Sequence, residues 1–233
     1  ILGKELAAKF LVKMDEKSQE IKGKHPAKKE MEKIASSLTK YEKKLSEFKN
    51  EDDKFEFKDT IAQYKLSKEL QTKLAGDKSL VVKGSLAKNP NLLPEIQIKL
   101  AEDNVESVRM SLAKNHNLLP EVQMKLADDK NQYIKGYLAI NHNILPEVQI
   151  KLAEDEREHV RGSLAKNTNL IPELQIKLAE GTVFIRRSLA TNINLLPELQ
   201  MKFAEDENEL VIVSLSTNPN LLREIRNYLN SNK

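Results

Sequence analysis

Basic residues recur in this sequence at nearly constant intervals of 25 or 26 positions. The members of this basic column are Lys83, Arg109, Lys135, Arg161 and Arg186, and Ile212 ends the series. If stacked units carry them, they form a strip of cations about 10 Å apart, a spacing that suits a phosphate backbone or an acidic peptide. Alternatively, each cation pairs with a carboxylate of the neighbouring unit, such as Glu102, Asp103, Glu154 or Asp155. We favour this structural pairing, because the repeats have no net charge.

Two further columns vary between units and are candidates for recognising a partner. One contains three lysines, Lys88, Lys114 and Lys166. The other contains His116 and His142, at equivalent positions of consecutive units. At an expected separation of about 10 Å, two imidazoles are too far apart to share one metal ion. Both columns are therefore predicted to contact a partner rather than a metal.

The sequence lacks the residue groupings that catalysis needs. The chain has no cysteine, which excludes disulfides, iron–sulfur clusters, zinc–thiolate sites and cysteine nucleophiles. It also lacks a nucleophile–base pair and a glycine-rich phosphate loop, and its carboxylates are explained by helix caps and i,i+4 pairs. A helical-repeat DNA-repair glycosylase is disfavoured, because tryptophan is absent and the net charge is only +3. We predict a protein that is not an enzyme and binds no cofactor, metal or small-molecule substrate.

The elements that must position these columns are 26-residue repeats. Aligned units begin at Leu86, Leu112, Leu138, Leu164, Leu189 and Leu215. The unit at Leu164 is one residue short, because Gly181-Thr182-Val183 replaces the usual acidic linker. Such self-similarity indicates a solenoid, in which each unit buries its apolar face only against its neighbours.

Each unit is predicted to form two short helices. The first begins at a proline such as Pro94, where the missing N–H is tolerated, and the next residue, Glu95, pairs with Lys99. The second begins with an Asp-x-x-Glu capping box, as at Asp103 and Glu106, and ends at an asparagine in the left-handed conformation. The Asn-x-Asn columns, from Asn89/Asn91 to Asn218/Asn220, are interpreted as backbone-binding turn residues rather than a recognition ladder. Glycines after the basic column, Gly84, Gly136 and Gly162, are predicted to allow close helix packing.

The repeat resembles that of the leucine-rich repeat variant family. The pattern D-x-x-x-x-V-R-x-x-L-A-x-N-x-N-x-x-P-E-x-x-x-x-L-A is carried by Asp103, Val108, Arg109, Leu112, Ala113, Asn115, Pro120, Glu121, Leu126 and Ala127. The resemblance covers residues 66–233 and implies an all-α, right-handed solenoid of α-helices alternating with shorter, partly 3₁₀ helices. It implies a scaffold and no particular reaction. The iron–sulfur domain of the first-described member does not transfer, because this chain has no cysteine.

The N-terminal part differs from the repeats. Residues 1–50 are predicted to form an antiparallel helical hairpin, residues 51–65 a connector, and residues 66–233 the solenoid. One hairpin helix has an apolar stripe at Leu2, Leu6, Phe10 and Met14; the other has a coiled-coil seam at Met31, Ile34, Leu38, Tyr41, Leu45 and Phe48. The acidic cluster Glu51-Asp52-Asp53 is interpreted as a hinge. The hairpin either caps the solenoid, which we favour, or pairs with another chain.

Together these observations predict a non-catalytic scaffold that binds a protein on its concave surface. The alternative is a nucleic-acid-binding protein that uses the basic column and the lysine-rich hairpin. A continuous positive stripe on the concave face favours nucleic acid, whereas mixed charge with exposed Tyr133 or Phe184 favours protein. Because apolar runs of membrane-spanning length and cysteines are both absent, we predict a cytoplasmic protein, and the Lys-, Asn- and Ile-rich composition indicates a bacterial source.

Overall fold

A computed structural model of the chain describes residues 26–231, and within this range the protein is all-α, with sixteen helices and no strand. The helices are α1 (Lys28–Ala35), α2 (Leu38–Glu47), α3 (Glu51–Ile61), α4 (Lys68–Ala75), α5 (Leu80–Ala87), α6 (Pro94–Ala101), α7 (Glu106–Ala113), α8 (Pro120–Ala127), α9 (Gln132–Ile140), α10 (Pro146–Ala153), α11 (Glu158–Ala165), α12 (Pro172–Ala179), α13 (Val183–Ala190), α14 (Pro197–Ala204), α15 (Glu209–Ser216) and α16 (Arg223–Ser231).

From α4 onward, helices of two kinds alternate and stack in two rows. The A helices are α4, α6, α8, α10, α12, α14 and α16, and the B helices are α5, α7, α9, α11, α13 and α15. The A and B helices of a repeat contact one another, and helices of the same kind contact each other in consecutive repeats, most weakly between α12 and α14. The predicted α-solenoid of helix pairs is thus confirmed. Both kinds are α-helical, so the described range has no 3₁₀ helix.

An A helix of eight residues is too short to be stable alone, and it folds because one face is buried. In α6 the buried residues are Ile96, Gln97, Leu100 and Ala101. Proline stands at the first turn of α6, as predicted, where its ring has the required φ. The predicted pair between Glu95 and Lys99 is replaced by an ion pair between Glu95 and Lys68 of the preceding A helix, 2.9 Å apart.

The predicted capping box of the B helices is wrong. Helix α7 starts at Glu106 with Val105 as its N-cap, so Asp103 lies two residues before the cap. One Asp103 oxygen accepts a hydrogen bond from the Val105 N–H (2.9 Å), which forms an Asx turn. The other oxygen accepts a bond from Lys83 of the preceding repeat. The aspartate therefore joins two repeats instead of closing a box within one.

The N-terminal helices α1 and α2 carry the predicted seam. Its members are either buried in the core of the chain or packed against that core. The helix breaks at Ser36 and Ser37, however, and Ser37 caps α2 through the Lys40 N–H. Residues 1–25, which hold the predicted first hairpin helix, lie outside the described residues. The seam is thus occupied by contacts within this chain.

The segment predicted as a connector with a hinge contains helix α3. Asn50 caps it by accepting a hydrogen bond from the Asp53 N–H (2.7 Å), and the acidic residues form its first turn, where carboxylates stabilise a helix. The predicted hinge is therefore wrong. Helix α3 packs on α5 as one B helix packs on the next, and Ala62 accepts a hydrogen bond from Asn89 just as Ala87 does from Asn115. It occupies the B position of an additional unit.

Candidate functional site

Four members of the basic column form ion pairs with an aspartate twenty residues further on, in the next repeat. The pairs are Lys83–Asp103 (2.5 Å), Arg109–Asp129 (2.6 Å), Lys135–Asp155 (2.6 Å) and Arg186–Asp206 (2.7 Å). These side chains are at most 16% exposed, so little water screens their charges. Both arginines bind bidentately through Nε and Nη2. The inter-repeat pairing favoured from the sequence is therefore present at four of the five positions.

The pairing holds these aspartates in their charged form. Burial raises the pKa of each carboxyl group, but hydrogen bonds from the basic partner and from a backbone N–H outweigh it. The pKa of each aspartate therefore lies below its usual value. The same contact raises the pKa of Arg109 and Arg186. These ion pairs thus neutralise most of the positive charge of the basic column.

Arg161 is the exception, because its expected partner is missing. Twenty residues after Arg161 the chain has Gly181, in the shortened unit, instead of an aspartate. Arg161 Nη1 donates to the Asp155 carbonyl (2.5 Å), as Arg109 Nη1 does to the Asp103 carbonyl (2.7 Å). Within residues 26–231 no carboxylate pairs with Arg161. The interruption of the repeat thus leaves one guanidinium with unused donors.

Two matched substitutions distinguish the contribution of the ion pair to stability from that of the arginine's other hydrogen bond. Arg109→Gln should lower the free energy of unfolding by about 2 kcal/mol, because Asp129 loses its bidentate partner in a poorly hydrated position. Arg161→Gln should lower it by less than about 1 kcal/mol, because only the hydrogen bond to a carbonyl is lost. Urea denaturation of both variants measures the difference. Equal losses would show that the ion pairs contribute nothing to stability.

The lysines of the variable column lie on the outward face of the B helices. In the B helices α5, α7, α9, α11 and α13 the third, seventh and eighth residues are buried, so the second residue and the residue after the helix's eighth position face away from the A helices. Lys88, Lys114 and Lys166 occupy the latter position and are exposed. Lys114 Nζ lies 3.8 Å from the centre of the Tyr137 ring in the next repeat, a cation–π contact. No ion pair involves any of these lysines in the described part of the chain.

The two histidines are closer than the sequence predicted. The ring centres of His116 and His142 are 4.5 Å apart and the rings stack, so the expected separation of about 10 Å is wrong. His116 Nδ1 also lies 3.1 Å from Asn141 Oδ1 of the next repeat. Among residues 26–231, no cluster of three or more His, Asp or Glu has a geometry that would hold a metal ion.

The Asn-x-Asn columns join the backbones of adjacent repeats. Asn141, 4% exposed, donates from Nδ2 to the carbonyls of Ala113 (3.1 Å) and Asn115 (2.7 Å), and its Oδ1 accepts from the Asn143 N–H (3.1 Å). Asn143 donates to the His116 carbonyl (3.0 Å). The structural interpretation of these columns is therefore confirmed. The predicted left-handed conformation is wrong, because no described residue has a positive φ.

A column of buried glutamines also joins adjacent repeats through hydrogen bonds, and it was not predicted from the sequence. Its members are Gln71, Gln97, Gln123, Gln149, Gln175 and Gln200, all at most 4% exposed. Gln123 donates to the Asn143 carbonyl (3.2 Å) and accepts from the Leu145 N–H (2.8 Å), both of the next repeat. A signal was available in the sequence, because the glutamine recurs at the same place in every Pro-Glu-x-Gln motif, on the apolar stripe of the A helix.

Exposed apolar side chains form a row on the outward face of the B helices. This B-face row, at the second position of four of the six B helices, contains Val81, Tyr133, Phe184 and Leu210, which are 43–54% exposed. Ser107 and His159 have this position in α7 and α11. Phe184 covers Gly162 of the preceding B helix, where an added Cβ would collide with its ring, and a Cβ at Gly136 would lie 3.2 Å from His159. The prediction that these glycines allow close packing is confirmed.

A second row of exposed apolar residues lies on the A helices, on the opposite side. This A-face row contains Ile98, Met124, Ile150, Ile176 and Met201, which are 37–50% exposed. Ion pairs between exposed lysines and carboxylates of the preceding repeat lie beside it, as between Lys151 and Asp128 (2.6 Å). The A-face row repeats the same aliphatic character, whereas the B-face row changes from unit to unit.

The folded chain was compared with proteins of known structure. One solved structure with a similar fold is described as a leucine-rich repeat variant with a novel repetitive protein structural motif. It is 22% identical, the match covers 71% of each chain, and the TM-score is 0.47. The chain is similar to a leucine-rich repeat variant. At this identity and TM-score the likeness carries no information on function, and the solenoid assignment rests on the helix pairs described above.

No protein-family model and no curated protein matches the chain. None of the helices within residues 26–231 has both the length and the apolar character that crossing a membrane requires.

Proposed function

We propose that the chain is a non-catalytic scaffold that binds a protein partner on its concave surface. The observation that carries this proposal is the B-face row, in which Tyr133 is 54% exposed and Phe184 43% exposed. Aromatic side chains dominate the energetics of protein–protein interfaces, and neither ring belongs to the hydrophobic core. The cytoplasm is the proposed location, because the full sequence contains no cysteine.

The spacing of the two rows of helices supports the B face as the concave side. Consecutive B helices pack against one another more extensively than consecutive A helices do, which indicates a shorter spacing in the B row. Glycine in the packed face of the B helices, as at Gly136 and Gly162, permits this close approach. A row with the shorter spacing lies on the inner side of an arc, and solenoids use their concave surfaces for binding.

The B face favours a partner segment that has both apolar and acidic side chains. Its apolar row lies at the N-terminal ends of the B helices, and the lysines Lys88, Lys114 and Lys166 lie at their C-terminal ends. An acidic segment is complementary to these lysines, which improves both the rate of association and its specificity. The surface is less suited to binding nucleic acid, because four cations of the basic column are already paired with aspartates.

The helices α1 and α2 are proposed to cap the solenoid rather than to join two chains. Tyr41 of their seam stacks on Phe57 of α3 with 5.6 Å between ring centres, and Phe48 lies 5.2 Å from the same ring. A seam occupied in this way has little apolar surface left for a second chain. Capping leaves the B face as an exposed surface whose apolar side chains vary from repeat to repeat.

The test is affinity capture from a lysate of the source cell, with and without nuclease, using matched variants. A discrete protein should be retained by the wild type after nuclease treatment. The double variant Tyr133→Ser/Phe184→Ser should lose at least nine-tenths of it, whereas the A-face control Ile150→Ser/Ile176→Ser should retain it. All variants should melt within a few degrees of the wild type, because the replaced side chains are exposed.

Two results would contradict the proposal. If nucleic acid is captured without nuclease and nuclease treatment releases all of the captured protein, the exposed lysines are a phosphate-binding surface and the nucleic-acid alternative is correct. If the A-face variant loses the partner and the B-face variant keeps it, the protein scaffold stands but the binding surface is the opposite one.

A further inference from the structure

The shortened repeat creates a cleft at the position where the aspartate ladder is interrupted. The cleft has a volume of about 430 Å³ and is lined by Arg161, Gly181, Thr182 and residues of the segment before α11, the end of α12 and the start of α13. Arg186 Nη1 donates to the Gly181 carbonyl (2.9 Å), as Arg109 Nη1 does to the Asp103 carbonyl (2.7 Å). The backbone of Gly181 therefore takes the place of the aspartate backbone, and only the carboxylate is missing.

The equivalent arginines of the flanking repeats show which chemical group Arg161 can bind. Arg109 and Arg186 each use Nε and Nη2 to bind an aspartate of the next repeat, at 2.6–3.3 Å. Arg161 is positioned in the same way through Nη1, and no described residue accepts from its Nε or Nη2. A planar guanidinium with both donors free prefers a carboxylate or a phosphate, which it binds bidentately.

The charges around the cleft favour a carboxylate over a phosphate. Glu154 and Glu180 line the cleft and are paired with Lys177 and Lys202. Asp155 is held by Lys135. Glu156 also lines the cleft and has no cation partner within residues 26–231. An added phosphate, with nearly two negative charges, is repelled by these groups more strongly than a single carboxylate.

From this geometry we infer that Arg161 is a carboxylate-binding site, which takes an aspartate or glutamate side chain of the protein partner in place of the missing aspartate. The inference rests on the proposed function, because the partner supplies the carboxylate. It also gives that partner a fixed point of attachment at the interface between α11 and α13. Every other interface of the basic column is closed by an aspartate of the chain itself.

The site is tested without the partner by NMR of the arginine Nε–Hε groups, of which the sequence contains seven. The probe is N-acetyl-aspartate amide, with N-acetyl-asparagine amide as the neutral control and inorganic phosphate as the competing anion. The Arg161 signal should shift saturably with the aspartate probe and not with the neutral one. The signals of Arg109 and Arg186 should not move, because their donors are occupied.

Two substitutions at Gly181 provide the matched control. A Cβ there would lie 3.0 Å from the Leu178 carbonyl and 3.1 Å from Ile185 Cδ1, so Gly181→Asp and Gly181→Asn share the same steric cost. Gly181→Asp should move the Arg161 signal towards that of Arg109 and abolish its response to the probe. Gly181→Asn should leave the response in place, because the amide adds no charge.

Several results would overturn the inference. An Arg161 signal that does not respond, that shifts no more than the signal of exposed Arg187, or that still responds in Gly181→Asp would show that the cleft is not a site. A larger response to phosphate would show that the ligand class is wrong. In the capture experiment, Arg161→Gln should lower partner retention at least tenfold. Full retention would show that no carboxylate of the partner binds at Arg161, while the proposed function would stand. An Arg161 signal that responds to the probe, together with no captured protein, would refute the proposed function instead.

Discussion

Replacing Leu126 with aspartate is expected to unfold the middle of the solenoid, with a loss of more than about 5 kcal/mol in the free energy of unfolding. Leu126 is completely buried in α8, between the A and B helices of neighbouring repeats. The substitution removes a large apolar side chain and requires a carboxylate to be buried without a cation. Since each repeat is stabilised only by its neighbours, the damage should spread to the adjoining repeats.

Hydrogen exchange followed by mass spectrometry measures this effect along the chain. Amides in residues 94–153 should exchange at least a hundredfold faster in Leu126→Asp than in the wild type. The control is Met124→Asp, two residues earlier in the same helix, where the side chain is 37% exposed and the expected loss is under about 1 kcal/mol. Wild-type protection in Leu126→Asp would show that the assigned buried face of the A helices is incorrect.

Replacing Asn141 with alanine is expected to cost about 4 kcal/mol, although it removes no apolar contact and no charge. The side chain satisfies two buried carbonyls, of Ala113 and Asn115, and the N–H of Asn143. Alanine leaves all three groups without a partner at an interface that admits little water. Each unsatisfied buried group costs about 1–3 kcal/mol, so the sum exceeds the effect of most surface substitutions.

Urea denaturation monitored by circular dichroism gives the loss, and Asn143→Ala provides the comparison. Asn143 is exposed and contributes one side-chain hydrogen bond, to the His116 carbonyl, so its replacement should cost about 1 kcal/mol or less. Equal effects at Asn141 and Asn143 would mean that water replaces the lost bonds at both positions. In that case the asparagine ladder does not contribute to holding the repeats together.

The candidate site was predictable only in part, for reasons that differ from residue to residue. Inter-repeat pairing was predicted because the repeats have no net charge. Of the predicted partners, Asp103 and Asp155 pair with the basic column. Glu102 and Glu154 pair with Lys125 and Lys177 instead. The stacking of His116 on His142 was not predictable, because the direction in which a side chain leans depends on the local backbone and on Asn141. The Asp103 capping box was predicted wrongly for a similar reason, since local spacing gives no information on the competing bond from Lys83.

The sequence by itself determined the repeat, its two helices and its buried stripe, because a periodic chain requires the same local structure at each period and only neighbours cover the apolar faces. It also contained the interruption at Gly181, which is visible as one missing residue. Only the tertiary structure decided which charges are used within the chain and which remain free. Arg109 and Arg161 occupy equivalent positions of the repeat, and what distinguishes them is the residue that the next repeat brings to within hydrogen-bonding distance. That distance depends on how the repeats stack, which a one-dimensional pattern does not specify.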